Sequence, residues 1–163
     1  MGKVFTSDEV EKYGTEGWLS PLDVLTQEEV TDCRKRLENW ESDRGGALPA
    51  HERSSGHILF PWIDSLMRND KILDAVEDLI GPDILCWNSV FWIKEASSPS
   101  YVGWHQDLEY WGLSSSEVVS IWIALSDASE DAGCMSVIPG SHRDIIPHSE
   151  TYAENNLLSR GQE

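Results

Sequence analysis

The chain has 163 residues, enough for one domain with a buried core. Hydrophobic residues make up 40% and charged residues 25%, a globular composition that excludes a disordered or fibrous chain. With 29 acidic residues against 12 basic ones and a formal net charge of −17, the surface repels phosphate backbones, which excludes nucleic acid as a partner.

The N-terminal stretch "MGKVFTSDEV" has no apolar signal core, and no apolar run approaches the ~18 residues of a membrane span, so neither export nor membrane insertion is expected. Met1-Gly2 with Thr6 fits a loose myristoylation pattern that lacks a second membrane signal. The first part of the chain reads as helical. Thr26 to Glu29 (T-Q-E-E) spells a capping box, and Val30, Cys33, Leu37 and Trp40 follow at helical spacing on an otherwise charged helix. That stripe stops near Glu41, and "SDRGGALPA" reads as a loop. "HERSSGHILFPWIDSL" contributes His51 and His57, both read as surface or hydrogen-bonded residues. A second helix is expected in "RNDKILDAVEDLIGPD", capped by Asn69 or Asp70, with Ile72, Ala75, Val76, Leu79 and Ile80 as its buried face and Gly81-Pro82 as its stop.

After Pro82 the pattern changes. "ILCWNSVFWIKE", "VVSIWIALSDA" and "CMSVIPGSH" are rich in branched and aromatic residues and are separated by turn-like "ASSPS" and "SEDAG", so each is expected to be a strand. Helices first and strands after indicate an α+β or mainly β layout, with residues 1–82 mainly helical and residues 83–163 forming the β part of a single domain. No helix of crossover length separates the strands, which disfavours a doubly wound parallel sheet. The tail "ETYAENNLLSRGQE" is polar and reads as weakly helical. Five of the eight tryptophans (Trp87, Trp92, Trp104, Trp111, Trp122) fall in this half, fitting either an aromatic core or a walled pocket. Cys33, Cys86 and Cys134 are odd in number and scattered, which points to a reducing, cytoplasmic compartment.

The chemistry concentrates in "SYVGWHQDLEYWGL". On a strand, residues i and i+2 share a face about 7 Å apart, so His105 and Asp107 could converge on one ion. With one further histidine they would make the two-histidine, one-carboxylate face that holds non-haem Fe(II) and leaves positions open for substrate and O₂. The triplet by itself is common, and two polar residues on a wet strand face are the competing reading.

The wider pattern is more specific. "WHQDLEYWGL", then "SIWIALSDASEDAGCMSVIPGSH", with "DAVEDLIGPDILCW" and "FWIKEASSPSYVGWHQD" leading in, resembles the phytanoyl-CoA dioxygenase family of Fe(II)- and 2-oxoglutarate-dependent oxygenases over nearly all of residues 8–163. The resemblance implies a double-stranded β-helix, the cupin-like jelly roll, with N-terminal helices packed outside it. It implies His105 and Asp107 as catalytic metal ligands, Gln106 and Trp122 near the co-substrate, and Phe91 and Lys94 on the strand lining the same pocket. Halogenating relatives have a small residue at the carboxylate position, so Asp107 implies hydroxylation. In the implied reaction a substrate C–H, 2-oxoglutarate and O₂ give the alcohol, succinate and CO₂.

The chain also departs from its family. The family's third ligand is a histidine well downstream of PGSH, followed by an arginine that binds 2-oxoglutarate, whereas this sequence offers only His142, Arg143, His148 and Arg160 after the motif. His142, in the PGSH turn, and His148, in a Pro-flanked loop, are read as structural, and Arg160 does not match the family arginine. The expectation is therefore a jelly roll incomplete at its C-terminus, with a fragment or degenerate relative lacking activity as the alternative. A third reading is a cupin-type metal protein using His142 or His148. The absence of a basic cluster tilts the substrate away from a CoA ester and toward a small or apolar metabolite, with O₂ as the other partner.

Overall fold

The computed structural model describes residues 2–158 and the backbone of Gly161 and Gln162. Two helices open the chain, each started by the same device. In α1 (Ser7–Glu16), Thr6 accepts from the Glu9 amide while the Glu9 carboxylate accepts from the Thr6 amide. In α2 (Gln27–Arg44), Thr26 and Glu29 repeat the arrangement expected from T-Q-E-E. Helix α2 runs past Glu41 to Arg44, beyond the end of its apolar stripe. Ion pairs at i,i+4 (Arg34–Glu38 and Arg36–Asp32, both 2.7 Å) support its exposed face. Arg44 lies over the Trp40 ring at 4.9 Å and donates to Glu52 at 2.8 Å.

The loop after α2 is more than a connection, because Leu48 lies 1% exposed at the centre of the core. Leu48, Phe60 and Ile63 form that core, with Leu37, Trp40, Trp62, Met67, Phe91 and Ile93 packed against it. Two short helices, α3 (Gly56–Leu59) and α4 (Pro61–Met67), bring Phe60 and Ile63 inward, and Pro61 at the start of α4 suits a position that needs no amide donor. Gly56 is required by packing. A Cβ there would stand 2.8 Å from the Phe91 ring, which is how the first segment after Pro82 seats against the helical half.

Helix α5 (Asp70–Ile80) is capped by Asn69, whose side chain accepts from the Lys71 amide. Ile72, Ala75 and Val76 are buried as expected, but Ile80, the last residue of the helix, is 36% exposed. The same helix holds the N-terminus. The Asp78 carboxylate accepts from the amides of Lys3 (2.8 Å), Val4 (2.7 Å) and Phe5 (2.9 Å), while Lys3 Nζ pairs with Asp74 and Glu77. The amide of Phe5 first, then those of Val4 and Lys3, hold the Asp78 carboxyl below its ordinary range. A depressed carboxyl stabilises the fold above its unfolded value of about 3.9 and stops doing so as pH falls through the lower folded value. Acidification is therefore expected to release residues 3–5 from α5 before the helical core melts, and Asp78→Asn to release them at neutral pH. Amide exchange of residues 3–5 measures both, and unchanged protection in the variant would refute the clamp.

The second half differs from expectation. Among the described residues the only strands are β1 (Glu150–Thr151) and β2 (Gly161–Gln162), an antiparallel pair with Glu150 opposite Gln162. Isolated bridges join Ser54 to Val90 and Tyr101 to Asn156. The three segments expected as strands (84–95, 118–128 and 134–142) form no ladder, so the described residues do not make up a jelly roll. The physical reason is the absence of partners. Leu85 (87% exposed), Trp87 (54%) and Met135 (59%) lack a second sheet layer to bury them, and a strand without neighbours gains no ladder bonds. The tail is also not helical over its described part: after β1 it turns, and residues 155–157 pair with Tyr101.

Candidate metal centre

The approach to the motif is held from behind. The Tyr101 amide donates to Asn155 O (3.0 Å), the Leu157 amide to Tyr101 O (2.8 Å), and the Gly103 amide to the Asn156 side chain (3.3 Å). His105 and Asp107 then converge, but not as two residues of one strand. Asp107 has helical backbone angles (φ −55°, ψ −44°) at the start of the single turn α6 (Leu108–Trp111), where its side chain makes no capping bond and instead reaches the imidazole. His105 Nε2 and Asp107 Oδ1 stand 3.0 Å apart.

The remaining atom of each group is also engaged. His105 Nδ1 lies 2.8 Å from the carbonyl of buried Gly103; a carbonyl only accepts, so Nδ1 carries a proton and donates it. Asp107 Oδ2 accepts from Ser120 Oγ at 3.0 Å. The neighbouring Asp107 carboxylate raises the His105 pKa, and the imidazole correspondingly lowers that of Asp107. The contact thus favours the charged form of each partner. An outer shell selects the ring tautomer and the carboxylate rotamer, leaving Nε2 and Oδ1 facing each other. A divalent cation would replace the Nε2 proton, and the imidazole-plus-carboxylate set suits Fe(II). The pair fits two of the three positions of a facial triad, and among the described residues no cluster of three or more His, Cys, Asp or Glu could hold a metal.

The other sequence-derived candidates lie elsewhere. Gln106 directs its side chain away from the pair, to backbone groups of Ser141, Asp144 and Ile146. Trp122 follows Ser120 by two residues and is 44% exposed. Phe91 belongs to the helical core, edge-on to Phe60 at 5.7 Å, and Lys94 donates to the Gly133 carbonyl. His142 abuts Gly14 and Gly17 at the end of α1, and Arg143 donates to Thr15 O at 2.7 Å. His148 Nε2 accepts the Gln106 amide at 3.0 Å. Both histidines thus serve as structural hydrogen-bonding groups. His57 bonds Ser89 at 2.8 Å, as a hydrogen-bonded histidine should. Arg160 lies outside the described residues. Sequence reasoning missed Ser120 and Gly103; the available signal was a lone hydroxyl inside the apolar run "VVSIWIAL".

A histidine and an aspartate thus meet at the start of a short helical turn, each with its remaining polar atom held by a neighbour. Residues 13–160 match the family model of phytanoyl-CoA dioxygenase (PhyH), and the chain belongs to that family. It is 36% identical over 90 residues to "Probable alpha-ketoglutarate-dependent hypophosphite dioxygenase" of Stutzerimonas stutzeri, covering 55% of this chain and 31% of that protein. It is 27% identical over 147 residues to L-proline trans-4-hydroxylase of Streptomyces griseoviridis (83% and 55%). It is 24% identical over 156 residues to ectoine dioxygenase of Bordetella bronchiseptica (86% and 51%). The chain spans about half the length or less of these relatives. No solved structure matches it. Among the described residues no helix is long and apolar enough to cross a membrane.

Proposed function

We propose that the chain serves an Fe(II)- and 2-oxoglutarate-dependent dioxygenase that hydroxylates a C–H bond of a small molecule, with His105 and Asp107 as iron ligands. The observation that carries this reading is the 3.0 Å approach of Nε2 and Oδ1, with the other atom of each group already satisfied by Gly103 and Ser120. Its relatives carry the names of alpha-ketoglutarate-dependent, proline and ectoine oxygenases, which favours a small substrate. Bound Fe(II) would activate O₂ at the expense of 2-oxoglutarate. The protein's own part is to hold the metal, exclude water and position the substrate C–H. Trp122, beyond Ser120, forms an aromatic wall for the co-substrate side, while Gln106 contributes by fixing the 141–146 segment beside the motif. In a complete β-helix the segments between 84 and 142 would be strands around this centre, which would bury the apolar side chains exposed along them. The free cysteines fit a cytoplasmic location.

The test is anaerobic titration with Fe(II) and 2-oxoglutarate, followed by the visible charge-transfer band of the chelate. A band that Asp107→Ala removes is the expected result, and no band under any loading counts against it. The lack of a third described donor favours a second reading, in which the chain as it stands does not turn over. Under it, metal binds weakly and no succinate forms. Ser120→Ala should weaken divalent-metal affinity about tenfold, the lower end of what an outer-shell partner contributes, while Ser120→Thr retains it. Equal affinities in Ser120→Ala and wild type would show that the hydroxyl does not orient the carboxylate.

A further inference from the structure

Gln106 lies between the two proposed ligands, yet every polar group of its side chain reaches across to a segment 35 or more residues later. Nε2 donates to Ser141 O (2.8 Å) and Asp144 O (2.9 Å), and Oε1 accepts from the Ile146 amide (2.9 Å). Its backbone amide donates to His148 Nε2 (3.0 Å), and Tyr110, one turn beyond Asp107, meets the His148 ring edge-on at 5.9 Å. One amide side chain thus donates to two carbonyls and accepts from one N–H, bridging two backbone stretches.

The far side of that segment is anchored too. The Gly140 amide donates to Glu16 O (2.8 Å), and Arg143 donates to Thr15 O (2.7 Å), placing a cation at the C-terminal end of α1. A continuous path therefore runs from α1 through residues 140–146 to Gln106, and from Gln106 to the residue on either side of it.

We infer that Gln106 is a positioning residue for the metal centre: by clamping the 141–148 segment it sets the backbone from which His105 and Asp107 project. The inference rests on the iron reading above. Its chemistry is demanding, since the site needs an amide with both a donor and an acceptor end. A carboxylate there would face two carbonyls with no proton to offer, and would leave Ser141 O and Asp144 O without their donor.

The experiment compares wild type, Gln106→Glu and Ile146→Pro, the last deleting from the opposite end the N–H that Oε1 accepts. Each is titrated with Co(II), read by its visible absorption, and mapped by amide exchange over residues 141–148, at a temperature where all three remain folded by circular dichroism. The expected result is wild-type Co(II) binding that Asp107→Ala removes, about tenfold weaker binding in both variants with an altered Co(II) spectrum, and faster exchange across 141–148. Faster exchange or lower melting temperature with wild-type Co(II) affinity and spectrum overturns the inference, because a brace that only stabilises would not move the metal's signature. That outcome leaves the iron reading standing. A wild-type chain that binds no Co(II) overturns the iron reading itself, and the positioning role with it.

Discussion

His105→Ala is expected to abolish metal binding, lowering divalent-cation affinity by more than about a hundredfold. Outer partners of a metal site are each worth about 10–100-fold, so the loss of a ligand should exceed that range. Nε2 and Oδ1 form the only contact at 3.0 Å between the two groups, and removal of the ring leaves a lone carboxylate with no chelating neighbour. The matched control is His51→Ala, an exposed histidine beside Glu52 in the helical half, which should leave affinity unchanged. Calorimetric titration with Co(II) or Fe(II) under argon checks both. A His105→Ala chain that binds as tightly as wild type would move the site elsewhere, and His148 would be the next residue to replace.

Phe60→Ala is expected to cost about 3–5 kcal/mol of folding stability, the usual range for emptying a buried phenylalanine position. Phe60 is 4% exposed and is the common neighbour of three rings: Trp40 at 5.3 Å edge-on, Trp62 at 6.0 Å and Phe91 at 5.7 Å edge-on. Each edge-on pair adds about 0.5–1.5 kcal/mol beyond its buried area. A small domain is stable by only about 5–15 kcal/mol, so the variant should be near the threshold of folding. Urea unfolding followed by tryptophan fluorescence gives the value. A cost below about 1 kcal/mol would mean that these rings do not form the cooperative core.

Local devices were legible because they act within a few residues. T-Q-E-E announced a capping box, Asn69 a cap and Gly81 a stop, and each stands where its chemistry requires. Thr6–Glu9 is the same device one helix earlier. Leu48 could not be recognised as the most buried core residue, since it stands in a Gly- and Pro-bearing loop whose course depends on Trp40 and Phe60. The strands were read from branched and aromatic composition, which signals a need for burial and pairing but supplies no partner. Where no partner is present among the described residues, Trp87 and Ile121 remain exposed and no sheet forms.

The motif shows the same division. Residue types and order within "WHQD…PGSH" were enough to place the chain in its family, as the match over residues 13–160 shows, and to draw attention to His105 and Asp107 as a pair. Sequence alone could not say that the two groups meet through a bend at Asp107, that Ser120 and the Gly103 carbonyl orient them, or that Gln106 faces away to hold residues 141–146. Those relations join positions up to 40 residues apart, and only the path of the folded backbone brings their atoms within hydrogen-bond reach.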